Sequence, residues 1–579
     1  MELEEEINPQ KIEDFKIPDV DPLRKKRIRR YIMIFSILLI LIVIIIAIVI
    51  IFKFVIKPTI YEIHCTFYTI GNETIQIINE KVIGDVDFEL QINGKKKSKK
   101  SKYFFENEGE YKVSFKFKNK LNSSYELFYG LDKLTEIDLS GINLEAFSNM
   151  TRIFANCENL KKISFGNDTK KVDYIEEAFS GCSSLNELDL SSFNTHDVHD
   201  MSSLFSGCNS LSSIDITILD TQNVENLEAM FSGCYSLESI NLTNLFLEKV
   251  KDMSYMFSNC EKLVNISFGN SNTGALSRMV GMFMDCFSLE NIDLQNFDTQ
   301  YVIDMSLLFS NCIKLEKIDL DESKFNTKSV TNMYKMFSNC QSIKRLNLKF
   351  NTVSVKNMKE MFFNCTSLAE LNAPFKTQKV IYFERQFTNC SSLTELNLGT
   401  FQTNEACEMK YMFSGCSSLI SLNIENFVAK KLNEVNYMFE GCTSLKIIDL
   451  SFLKDSESLM YTTGMFKNCI SLETINFPNI YTFFLFETNE MFYGCGNLTS
   501  IDFNNLNTLS VKNMERMFYN CSSLNELNIG NFNTRSVENY EDIFYGIENS
   551  TSVNIRYNKN KTQEIEDAIM KNWNKIFIS

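Results

Sequence analysis

AFSGCSSLNELDLSSFNTHDVHDMSSLFSGC, residues 178–208, opens and closes on the same four letters around its cysteines. Phe179-Ser-Gly-Cys182 returns as Phe205-Ser-Gly-Cys208, 26 residues further on. Fifteen such units run from Cys157 to Cys521, at spacings of 25 to 28 residues. Counted from each Cys, Phe stands three before it, Leu (Ile343 once) three after, Ile or Leu six after, and an apolar residue eight after. Two edge units built on Phe128 and Phe544 match the pattern with Leu131 and Ile547 in the Cys place, although Ser550 breaks the Leu column in the last, giving 17 units.

A unit of 26 residues cannot bury its own apolar face, so it must stack on copies of itself. The L-x-x-L-x-L part has the strand pattern of leucine-rich repeats, with its last two apolar residues pointing inward. The D-V-x-x-M-x-x-M-F stretch has helix-like spacing and predicts a helical return on the outer side. The expected fold is α/β: a leucine-rich-repeat solenoid with a parallel β-sheet on its concave face. One transmembrane helix and a small β-sandwich-like module precede it.

MFSGCSSLISLNIENF (412–427) and MFYNCSSLNELNIGNFNTRSVENYEDIF (517–544) carry a resemblance to a family. They resemble the BspA-type leucine-rich repeats, found in 26-residue-repeat surface proteins of mycoplasmas and protists. The likeness covers about residues 128–555. It implies a cell-surface protein, and several members are implicated in adhesion. An N-terminal signal anchor departs from the family's usual arrangement.

Ile32–Phe52 is a 21-residue run without a charge, and at about 1.5 Å per residue it matches a hydrocarbon core of about 30 Å. Arg24, Lys25, Lys26, Arg27, Arg29 and Arg30 flank it on one side, against Lys53 and Lys57 on the other. The positive-inside bias then leaves the N-terminus cytoplasmic and the repeats extracellular at the plasma membrane, with a lumenal endomembrane location as second choice. The expected organisation is a cytoplasmic tail (1–30), a membrane helix (31–56) contacting the lipid bilayer and a β-rich module (57–124). A solenoid of about 17 repeats (125–556) and a C-terminal cap with a short helix (557–579) complete it. In the module, alternating runs such as Tyr111–Lys118 have strand period, and Lys95–Lys97, Lys99, Lys100 and Lys102 form a basic loop tip.

Fifteen of 17 cysteines occupy one phase of the repeat. A residue recurring at every turn is first a packing residue, so buried free thiols are expected, pairing between neighbouring repeats being the alternative. Position seven after Cys lies between two inward residues and so faces outward. It reads Asp189, Asp215, Asn241, Asp293, Asp319, Asn347, Asn372, Asn397, Asn423, Asp449, Asn476, Asp502 and Asn528, with Asp138 extending it into the edge unit. The stripe is either a polar ladder that keeps the sheet soluble or a recognition surface for a protein or glycan.

The net charge of -15 argues against nucleic acid as a partner, and only three His are present. The sequence shows no P-loop, nucleophile elbow, HExxH or paired-glycine fingerprint. No catalytic, cofactor or metal site is therefore expected, and the isolated His196/His199 pair lies in a connecting segment. Twelve N-x-S/T sequons follow the apolar run, among them Asn72, Asn122, Asn149 and Asn497. Asn364, Asn389 and Asn520 abut the Cys column and are expected to stay unmodified. The reading is an adhesive or recognition protein for another cell or matrix; a surface coat without a specific ligand is the alternative.

Overall fold

The computed structural model describes residues 21–55, 61–118, 124–141, 148–166, 170–321, 323–478, 480, 483–503, 506–547, 553–557, 567 and 576–578. It separates into two compact units, Met1–Ile60 and Tyr61–Ser579. In the first, helix α1 runs over Pro22–Val55. Asp21 accepts the Leu23 N–H at 3.2 Å and Pro22 opens the helix, the residue types that favour a helix start. The basic cluster at 24–30, assigned to the tail from sequence, is thus the first two turns of α1. Within it, Pro22–Ile46 is long and apolar enough to cross a membrane. The tail before Asp21 lies outside the described residues; of the C-terminal segment at 557–579, where a short helix is expected, the described residues place Asp567 in helix and Ile576–Ile578 in a strand.

The second unit begins with six strands: β1 (Tyr61–Ile70), β2 (Glu73–Gln76), β3 (Phe88–Ile92), β4 (Lys95–Lys97), β5 (Lys102–Phe105) and β6 (Glu108–Phe117). The first two repeats add β7 (Leu134–Asp138) and β8 (Lys162–Ser164). One sheet runs β4-β3-β6-β1-β7-β8, while β2 and β5 pair separately. β1 is antiparallel to both β6 and β7, with Cys65 opposite Ile137. The β-rich segment therefore seals the open edge of the first repeat instead of standing apart from it. The far edge of this sheet is the short lysine strand β4, whose charges discourage pairing with another chain.

Beyond β8 most turns contribute three strand residues, which pair in parallel register two turns at a time into short two-stranded sheets, as Glu395–Asn397 with Ser421–Asn423; the Cys182 and Cys208 turns carry no strand there. This is the leucine-rich-repeat solenoid that the sequence predicts. The return segment is not helical, and the repeats contain no α-helix among the described residues. In the Cys260 turn, the N–H groups of Met253, Tyr255, Phe257 and Asn259 donate to Arg278, Val280, Met282 and Met284 of the next turn, at 2.8–3.0 Å. The alternate groups of Met256, Ser258 and Cys260 close back onto Met253, Tyr255 and Phe257, at 3.0–3.3 Å. A three-residue apolar spacing satisfies this alternation as well as it would a helix.

The residue before each Cys has positive φ and is Asn, Asp or Gly throughout, from Asn156 (φ 60) to Asn520 (φ 58). These types tolerate the left-handed region best. Gly181 also makes room: a Cβ there would stand 2.6 Å from Oδ1 of Asn156. Where Asn follows Asn, the amides chain instead, Asn339 Nδ2 to Asn311 at 2.6 Å and Asn364 Nδ2 to Asn339 at 2.8 Å.

Inside, seventeen Phe rings from Phe128 to Phe544 stack one per turn, neighbouring centroids 5.1–6.0 Å apart and planes within 20°. Phe115 of β6 closes the column edge-on against Phe128 at 6.2 Å. All 17 cysteines are free thiols. Each of the fifteen repeat thiols donates to the Phe carbonyl of the preceding turn, at 3.0–3.2 Å. A buried threonine column does the same in the other direction, as Thr377 Oγ1 to the Gln402 carbonyl at 2.9 Å while the Gln402 N–H returns to it at 2.8 Å.

Burial pushes the thiols up, Cys157, Cys208, Cys365, Cys416 and Cys521 to about 12. Since the thiolate is the reactive form, iodoacetamide at pH 8 is expected to label Cys407, the half-buried one, while the other sixteen react only after unfolding in guanidinium. Mass spectrometry of labelled peptides checks this. Gln386 interrupts a column that is Met in ten other turns, and its buried Oε1 has no partner. Gln386→Met removes an orphaned acceptor and is expected to stabilise by about 1–3 kcal/mol, read as a higher urea midpoint.

Candidate interaction face

Each repeat strand exposes the residue five after Cys, buries or half-buries the next, and exposes or half-buries the residue seven after, as Glu395, Leu396 and Asn397. The outward stripe is where the sequence places it: Asp189, Asp215, Asn241, Asp293, Asn347, Asn372, Asn397, Asp449, Asn476 and Asp502 are exposed. Asp138, Asp319, Asn423 and Asn528 are half-buried.

Nine stripe residues accept the N–H two residues on through a side-chain oxygen: Asp138, Asp189, Asp215, Asn241, Asp293, Asn397, Asn423, Asp449 and Asn528, at 2.9–3.2 Å. This turn needs a short side chain with an acceptor, which Asp and Asn supply alike. Neighbouring turns also connect: Asn372 Nδ2 to Asn347, Asn423 Nδ2 to Asn397 and Asn476 Nδ2 to Asp449, at 2.9–3.1 Å. The same local turn recurs at two further corners, for example at Asp252 with Ser254 and at Asp298 with Gln300. The stripe is therefore one of three Asp/Asn corners that bend the chain, a period visible in the sequence beside the Cys column. The −1 residues and the threonine column are equally periodic signals that a reading centred on apolar residues passes over.

What differs from turn to turn is the row beside the stripe. Four and five after Cys stand Glu316 and Lys317, then Lys344 and Arg345, Ala369 and Glu370, Thr394 and Glu395, Ile420 and Ser421, Lys446 and Ile447. Lys317 Nζ meets Asp319 at 2.7 Å and Arg345 meets Glu370 at 3.9 Å. A groove of about 450 Å³ runs here, lined by Glu316, Lys317, Asp319, Arg345, Lys349 and Glu370 among others. Across the Cys208, Cys234 and Cys260 turns a second groove of about 770 Å³ is lined by serines, Thr217, Asn241 and Asn265, with Asp215 and three isoleucines among them.

His196 Nδ1 contacts Asp220 of the next turn at 2.9 Å, and Asp197 is held by Lys171 at 2.9 Å. Among the described residues, no group of three or more His, Cys, Asp or Glu side chains is placed to hold a metal ion. The lysines of β4 and β5 are drawn partly into local pairs, Lys96 with Glu89 at 3.2 Å and Lys102 with Glu80 at 2.6 Å.

A family model described as "Mycoplasma protein of unknown function, DUF285" matches residues 122–245, 236–349, 345–452 and 460–575. The chain belongs to this family. It is a BspA-type leucine-rich-repeat protein. Among solved structures, it is similar to a leucine-rich repeat protein from Bacteroides ovatus ATCC 8483, with 21% identity and a TM-score of 0.42 over 80% of this chain and 90% of that one. It is also similar to one from Eubacterium ventriosum ATCC 27560, with 13% identity and a TM-score of 0.27 over 58% and 83%. A search of curated proteins finds no match.

The Ser191 N–H and hydroxyl hold the Asp189 carboxyl below the usual range; Thr217 does so for Asp215, and the Ser451 hydroxyl for Asp449. A depressed folded pKa contributes stability above the unfolded value, lost as pH falls through the folded one, so the loss begins below about pH 4. Changing all three residues to Asn keeps the accepting oxygen and is expected to flatten the acid limb of a thermal-melt series. An unchanged limb would remove the stripe from the acid response.

Proposed function

We propose that this chain is a single-pass membrane protein that displays its repeats outside the cell and recognises a protein or glycan ligand on another cell or matrix. The apolar part of α1 serves as the anchor in the lipid bilayer, with the basic first turns on the cytoplasmic side. The feature that carries the reading is the contrast within one strand. Buried positions repeat almost without change, while the outward residues four and five after Cys vary in size and charge along the stack. Packing demands the first and is indifferent to the second, so the variation is free to encode recognition. The Asp/Asn stripe frames this row and supplies hydrogen-bonding edges beside it.

Full-length protein in nanodiscs is expected to bind a panel of cells and matrix proteins saturably. The triple variant Lys317→Glu, Lys344→Glu, Arg345→Glu should bind at least tenfold more weakly with an unchanged melting temperature. Absence of saturable binding across the panel would leave a coat role instead. Protease shaving of intact cells should remove the repeats; their protection would refute the outward orientation.

A further inference from the structure

We propose that Asn241 and Asn265 carry N-linked glycans, which cover the sheet face at their turns. The inference rests on the outward orientation proposed above.

Asn241-Leu242-Thr243 and Asn265-Ile266-Ser267 are both N-x-S/T sequons, and they occupy successive strands. The period of two turns Leu242 inward, half-buries Ile266, and leaves Asn241, Thr243, Asn265 and Ser267 exposed. Parallel register sets Asn241 beside Ser267 and Asn265 beside Ser239. The Oδ1 of Asn241 takes the Thr243 N–H at 3.0 Å, which leaves the amide nitrogen on the solvent side. Both asparagines line the 770 Å³ groove with Ser213, Asp215, Ser239 and Ser267. The short hydroxyls and amides of that lining, with the Asp215 carboxylate, give saccharide hydroxyls hydrogen-bonding partners beside Ile214, Ile240 and Ile266. The charged groove around Lys317 and Arg345 lies beyond the two glycans' turns and stays open.

Asn364 also stands in a sequon, but its Nδ2 donates to Asn339 at 2.8 Å in an amide chain that reaches Asp285. A sugar on that nitrogen would break the chain, so it is expected bare in the folded protein. In the modification, Nδ2 displaces the lipid pyrophosphate from C1 of a lipid-pyrophosphate-linked oligosaccharide. The N–C1 bond forms, the C1–O bond breaks, the lipid pyrophosphate leaves with the bonding electrons, and the amide nitrogen loses one proton.

The test is glycopeptide mass spectrometry on the full chain expressed in a eukaryotic secretory cell, after glycosidase release in ¹⁸O-water. Asn241 and Asn265 should be occupied and Asn364 empty. Asn241→Gln and Thr243→Ala should each remove one glycan's gel shift, as should Asn265→Gln and Ser267→Ala. Asn72 and Asn497, exposed sequons away from the groove, report on orientation. If either is occupied while Asn241 and Asn265 are bare, the shielding proposal alone fails. If every sequon is bare, the outward orientation fails and takes the proposal with it.

Discussion

The structure depends on how each turn divides its backbone hydrogen bonds. Alternate N–H groups close tight turns within the repeat, and the others reach the carbonyls of the following repeat. A turn in isolation would leave half of these groups unpaired and its Phe, Cys, Met and Leu side chains in water. Only a neighbour with the same side chains at the same phase satisfies both demands. Identity from turn to turn is thus a condition of folding, and the Phe stack and thiol column are its visible result. Sulfur is used here for size and for one weak donor. Serine would bring a shorter, more polar group to a site with a single acceptor, and a larger apolar residue would crowd the Phe carbonyl.

Ends are the weak points of such an array, because the outermost turns have a neighbour on one side only. At the first repeat the chain uses an antiparallel strand: β1 lies between β6 and β7, buried Cys65 stands opposite Ile137, and Phe115 covers the last ring. At the other end Val553–Tyr557 and Ile576–Ile578 add parallel strands beyond the last Cys repeat. The edge units lack Cys because their neighbours on the outer side present different side chains.

The columns were legible because each is one residue type repeated at one phase, and periodicity survives any uncertainty about local structure. The outward stripe was legible for the same reason, though its role in capping turns was not. Asp and Asn serve solubility, recognition and turn formation equally well on paper, and only the bond from Asp189 to the Ser191 N–H distinguishes them. The return segment was misread as helix because Met253, Met256 and Phe257 fit either geometry. Left-handed residues five before Cys were invisible, since Arg152, Tyr255, Leu307 and Lys335 have no preference for that region. The pairing of His64 with Asp138 joins residues far apart in sequence, and no local signal announces it. The variable row four and five after Cys was legible as variation alone; its pairing of Arg345 with Glu370 comes from the stacking register.

Because the cross-turn backbone bonds of each turn reach only its immediate neighbours, stability is handed along the stack from neighbour to neighbour. A substitution that breaks one turn is felt first by the turns on either side of it, and the ladder can open locally there while distant turns keep their pairing.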